Sequence, residues 1–133
     1  MIYRLAICAC LLIALPGCKG SYSPTSPSSS SIDGTYAGAM NDSAFGAGTL
    51  RMTLTSNGSN VTGTWNTTFS GGNNSGTGTG TFNGTTLSIT LTPSISGCPF
   101  LVTAARSGTQ LSGNYTAVNC VATGTGSINL SKQ

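Results

Sequence analysis

Acid–base and nucleophilic chemistry has little to work with in this chain. There is no histidine, and the only acidic residues are Asp33 and Asp42. A general acid and base need two titratable groups with tuned pKa values held close together. Asp33 precedes Gly34 and Asp42 falls between two predicted strands, so both read as turn residues. Serines are plentiful, but none has a histidine to activate it. The run Gly76-Thr77-Gly78-Thr79-Gly80 has the glycine density of a phosphate loop. It lacks the Lys-Ser/Thr ending and a following helix, so its glycines read as making room opposite Leu87 and Ile89. No catalytic residue, cofactor or metal is assigned.

The cysteines are more informative. Five are present: Cys8, Cys10, Cys18, Cys98 and Cys120. Cys8 and Cys10 lie in an apolar run from Leu5 to Leu15 that follows the positive charge of Arg4. A bilayer-spanning helix needs about 20 apolar residues, more than this run has. A charged start, a short apolar middle and a small residue before the cut describe an export signal. The remaining thiols, Cys98 and Cys120, form an even pair in an exported and therefore oxidising setting. They read as a disulfide, with two free thiols as the alternative. Two thiols without histidine fall short of the usual four ligands of a zinc site.

The segment Leu15-Pro16-Gly17-Cys18 resembles the lipobox of bacterial lipoproteins. The resemblance implies that residues 1–17 are a cleaved signal peptide and that Cys18, acylated with palmitate-type chains, becomes the first mature residue. Lys19 follows the cysteine where the enterobacterial inner-membrane retention signal has Asp, which implies an outer-membrane address in preference to the inner. Several acyl chains bury methylenes at about 0.8 kcal/mol each, giving a stable membrane anchor. Residues 18–31, including "KGSYSPTSPSSSS", are Ser/Pro-rich with no repeating apolar residue, and read as a disordered tether.

Beyond the signal, Lys19, Arg51, Arg106 and Lys132 stand against Asp33 and Asp42, a net charge of +2. This is no basic patch, and nucleic acid is excluded as a partner. The protein reads as monomeric.

From residue 32 to 133 the hydrophobic period is two, the strand signature. Eight strands are predicted, near 32–40, 48–56, 59–69, 76–82, 85–92, 99–106, 109–117 and 120–130. Hairpins centred on Asn57-Gly58 and Asn83-Gly84, read as turns with positive φ at both central residues, set Leu50 against Trp65 and Ile89 against Gly78. Turns at Ser107-Gly108 and Val118-Asn119 set Phe100 against Tyr115 and Ala117 against Cys120. All four turns gather the large apolar residues on one face and Thr, Ser and Asn on the other; a one-residue slip would scatter them. In this register Cys98 and Cys120 share a rim on strands six and eight. Flat strands two apart are nearly 10 Å apart, so a bond needs strong curvature or Cys120 lifted into the turn.

The expected fold is all-β, a small eight-stranded antiparallel up-and-down barrel that closes its first strand on its last, with a β-sandwich as the alternative. The threonine-rich face is expected to meet water and the apolar face to line the interior, opposite to a membrane barrel. The segments "DGTYAG" (Asp33 to Gly38) and "LSGNY" (Leu111 to Tyr115) are similar to the lipocalin-like and avidin-like calycin barrels. The whole domain also resembles a loose group of exported Gly/Thr-rich bacterial barrels. Avidin-like proteins hold biotin among several tryptophans; this chain has only Trp65, so no binding residues are carried over.

Barrels of eight strands either fill with side chains or hold one small ligand. Tyr36, Leu50, Met52, Trp65, Ile89, Phe100 and Tyr115 are the expected pocket lining. Two functions follow. One is a non-catalytic lipoprotein that binds a small apolar or amphipathic ligand. The other is a structural or interaction protein of the cell envelope with a filled core.

Overall fold

A computed structural model describes residues 31–120 and 124–133. The expected signal peptide, Cys18 and nearly all of the tether lie outside the described residues.

Eight strands follow one another: β1 (Gly34–Asp42), β2 (Gly46–Asn57), β3 (Asn60–Phe69), β4 (Gly72–Phe82), β5 (Thr86–Pro93), β6 (Phe100–Ser107), β7 (Gln110–Ala117) and β8 (Thr125–Lys132). Each pairs antiparallel with the next, and β8 pairs with β1, so the sheet is a closed barrel and not a sandwich. The architecture is consistent with the calycin-like form. Along the strands buried residues alternate with more exposed ones, as in Leu50, Met52 and Leu54 of β2. The outer face carries threonines in cross-strand register, such as Thr35, Thr53, Thr64 and Thr77 on four successive strands.

The hairpin registers differ from the expected ones by two residues. Leu54 pairs with Gly63, Met52 with Trp65, Ile89 with Gly80 and Val102 with Tyr115. The turns explain the shift. Gly58, Gly84 and Gly108 have φ of +62°, +97° and +59°, while Ser59, Thr85 and Thr109 after them do not have positive φ. Glycine is thus the first central residue, the pattern of a type II′ turn, not the second as in type I′. A two-residue shift preserves the face of every side chain, so the expected interior survives although its cross-strand pairs do not.

Two strands start well away from their expected places. β4 starts at Gly72 rather than near 76, because Asn73 and Asn74 extend past the apolar core where no alternation marks them. β8 begins at Thr125, so Cys120 stands in the β7–β8 connection and does not pair with Ala117; Ala117 pairs with Phe100.

That change resolves the disulfide geometry. Cys98 just precedes β6 and Cys120 just follows β7, and these two strands are neighbours. The Val118 amide donates to the Pro99 carbonyl beside them at 2.9 Å. The Cα atoms of Cys98 and Cys120 are 5.8 Å apart and the disulfide is formed, within the ordinary range for such a bond.

The glycines do more than make room for side chains. A β-carbon on Gly80 would overlap the Ser88 carbonyl oxygen, and one on Gly113 the Thr103 carbonyl oxygen. At these points adjacent backbones approach more closely than any side chain permits, which lets short strands coil into a narrow barrel. Gly78 is the case that fits the expectation: a β-carbon there would press on Ile89 Cδ1 and Leu91 Cδ2.

Candidate functional site

The two ends of the barrel are built differently. One carries the β2–β3, β4–β5 and β6–β7 turns, all tight. There the entering chain crosses under the barrel: Ile32 is fully buried, and Asp33 accepts hydrogen bonds from the Ser56 amide and hydroxyl. Arg106 Nη1 donates to the Ser31 carbonyl at 2.8 Å. Hydrogen bonds from Ser31 and Ser56 hold the Asp33 carboxyl below its usual pKa. This end is closed, and above it Tyr36, Met52, Leu87, Ile89, Leu111 and Leu130 are all fully buried. Among the described residues the Tyr36 hydroxyl has no hydrogen-bond partner, and burial raises its pKa.

The other end is open. It carries the β1–β2, β3–β4, β5–β6 and β7–β8 connections, two of them six or seven residues long. A cavity of about 230 Å³ enters here. Its walls are Met40 and Asp42 of β1, Leu50 of β2, Trp65, Thr67 and Phe69 of β3, Leu91 of β5, Phe100 and Val102 of β6, and Tyr115 of β7. Gly71 to Asn74 and Phe45 complete the rim. The volume lies below the roughly 300–1,000 Å³ of sites for drug-sized ligands.

Of the seven expected lining residues, the structure brings Leu50, Trp65, Phe100 and Tyr115 together at the cavity. Tyr36, Met52 and Ile89 face the interior but lie in the filled part, away from it. The interior is therefore neither wholly filled nor wholly hollow. Large side chains meet at the closed end, while Gly48 and Gly76, on the inward side of β2 and β4, contribute no bulk towards the open one.

The aromatic groups are fixed by specific contacts. Trp65 Nε1–H donates to the Thr77 carbonyl on β4 at 3.0 Å, which satisfies its polar edge and leaves the ring as apolar wall. Phe100 and Tyr115 meet edge-to-face with centroids 5.7 Å apart. Phe45, 66% exposed at the lip, stands against Phe69 at 5.9 Å.

Asp42 was expected in a turn. It is instead the last residue of β1, inward-facing like Tyr36 and Met40, and only 8% exposed. Its parity with Tyr36 and Met40 is the signal that could have revealed this. Its Oδ1 accepts from the Ala44 and Phe45 amides at 2.8 and 3.0 Å, and its Oδ2 from the Tyr115 hydroxyl at 2.5 Å. Burial works to raise its pKa, but these three donors outweigh it and hold the carboxyl below the usual range. The Tyr115 hydroxyl is pushed the other way, first by burial and then by its bond to Asp42 and the carboxylate charge. No Lys or Arg is among the described residues lining the cavity.

Chemically, the arrangement is a small apolar chamber with one ionised carboxylate at its wall. In comparisons with known proteins, no family model matches the chain and no curated protein matches its sequence.

Proposed function

We propose that this protein is a non-catalytic bacterial lipoprotein, anchored in the cell envelope through an acylated Cys18, whose barrel binds a small apolar or amphipathic ligand at its open end. The observation that carries the binding reading is the cavity of about 230 Å³ beside Trp65, walled largely by aromatic and aliphatic side chains. Apolar concavities with a few fixed polar groups are the usual form of a small-molecule site. The anchor reading rests on the lipobox-like Leu15-x-Gly17-Cys18 and the Ser/Pro tether after it. The chain enters the barrel at the closed end through Ile32, so the mouth lies at the far end from the tether. A ligand could therefore enter from the aqueous side.

Native mass spectrometry of protein extracted from its host tests the binding reading. A small molecule of constant mass that co-purifies supports it; an empty barrel that also fails to take up any apolar probe rejects it in favour of an envelope protein without a ligand. Labelled palmitate incorporation tests the anchor. It is expected in the wild type and lost in Cys18→Ala; label that persists in the variant refutes the assignment.

A further inference from the structure

We propose that the cavity is selective for small primary amines, with the ammonium group seated against Asp42 and the apolar tail held between Trp65, Phe69 and Phe100. This inference rests on the binding reading above and adds the chemical class of the ligand.

Three observations carry it. First, an acidic side chain stands in the wall of a chamber lined mostly by apolar side chains and is more than nine-tenths buried. A buried charge is costly unless it is paired. No cationic side chain among the described residues lines the cavity to pair it. The described cations stand elsewhere: Arg106 bonds to Ser31 at the closed end, the Lys132 side chain lies over Gly34 at that same end, and Arg51 is exposed on the outer face.

Second, the carboxylate retains capacity. Its two oxygens offer about four acceptor positions. Ala44, Phe45 and Tyr115 occupy three. All three are neutral donors that hold the group in place without cancelling its charge. A ligand N–H would complete the set and also supply the missing positive charge.

Third, the walls suit the rest of such a molecule. Trp65, Phe69 and Phe100 present aromatic surface, and their electron-rich faces favour a nearby cation while their area buries an alkyl tail. A carboxylic acid would place like charges together, and an alcohol could donate a hydrogen bond to Asp42 but would leave its negative charge uncancelled.

The test titrates the full chain with three probes of equal length: hexylamine, hexan-1-ol and hexanoate. Emission from Trp65, the only tryptophan, reports occupancy of the cavity. Hexylamine is expected to bind at least about tenfold more tightly than hexan-1-ol, the gain of one charge-assisted hydrogen bond, with hexanoate weakest. In Asp42→Asn the amine preference should vanish while hexan-1-ol still binds. Hexan-1-ol binding as tightly as hexylamine in the wild type would overturn the amine inference and leave the cavity reading standing. A preference that persists in Asp42→Asn would also overturn it. No response to any probe would overturn both. If Asp42→Asn does not fold, the wild-type comparison of the three probes decides alone.

Discussion

Replacing Tyr115 with phenylalanine should destabilise the barrel by an amount that depends on pH. The change removes one hydroxyl and little else: the ring remains against Phe100, and the hydroxyl's bond to Asp42 Oδ2 is lost. At neutral pH the partner is an ionised, buried carboxylate, and hydrogen bonds to charged groups contribute about 1.5–3 kcal/mol. Asp42 titrates below its ordinary range in the folded protein. Its stabilising contribution is therefore present above about pH 4, the unfolded value, and is lost as pH falls through the folded one. Once Asp42 is protonated, the lost bond is a neutral one, worth about 0.5–1.5 kcal/mol. The cost of Tyr115→Phe should thus shrink by roughly 1 kcal/mol as pH falls from neutral through the folded titration of Asp42. Urea unfolding followed by Trp65 fluorescence at neutral pH and at successively lower pH values, with unchanged denaturant slope, measures the cost and its trend. A cost below about 0.5 kcal/mol at pH 7, or a cost that does not fall across the range in which the Asp42 carboxyl protonates, would refute the account of Asp42 as a charged, donor-held group.

Alkaline unfolding provides a second check: Tyr36 and Tyr115 ionise less readily in the fold, so stability is full below pH 10 and should fall as pH rises above it, less steeply in Tyr115→Phe. Gly80→Ala should cost about 1–3 kcal/mol or more by forcing β4 from β5, whereas Gly71→Ala, which meets open space, should change the melting temperature little. Replacing Cys98 and Cys120 with serine removes a cross-link between residues 22 apart and should cost roughly 3 kcal/mol in denaturant unfolding. Ile32→Ala empties a fully buried position at the closed end and should cost about 2–5 kcal/mol, with amide exchange accelerated first in the turns it covers.

The hydrophobic alternation was the most readable feature. Leu50, Met52 and Leu54, or Leu87, Ile89 and Leu91, declare one buried face by spacing alone. The pairing within that face was less readable. Placing glycine second in these turns instead of first set Trp65 opposite Leu50 instead of Met52, and Gly78 opposite Ile89 instead of Gly80. Alternation is blind to this error because a shift of two restores the same parity. Asp42 was misread for a different reason. A lone acid beside Asn41 and Ser43 looks like turn chemistry, and it does accept turn amides while also facing inward. Cys120 was misplaced because the β7–β8 connection, at residues 118–124, is longer than a tight turn, and Asn119 with φ of +59° belongs to that connection.

What the residues by themselves determined was the all-β class, the strand number and the identity of the interior face, since side-chain period and turn glycines are local properties of the chain. The tertiary structure alone decided where the interior is solid and where it is hollow. Closing β8 onto β1 brings side chains from seven strands around one space, and its volume depends on how their bulk sums across the barrel, a quantity no single segment contains. The same closure sets the Tyr115 hydroxyl on β7 against the Asp42 carboxylate on β1, 73 residues away in sequence. Only that meeting makes an ordinary turn acid into the charged wall of a cavity.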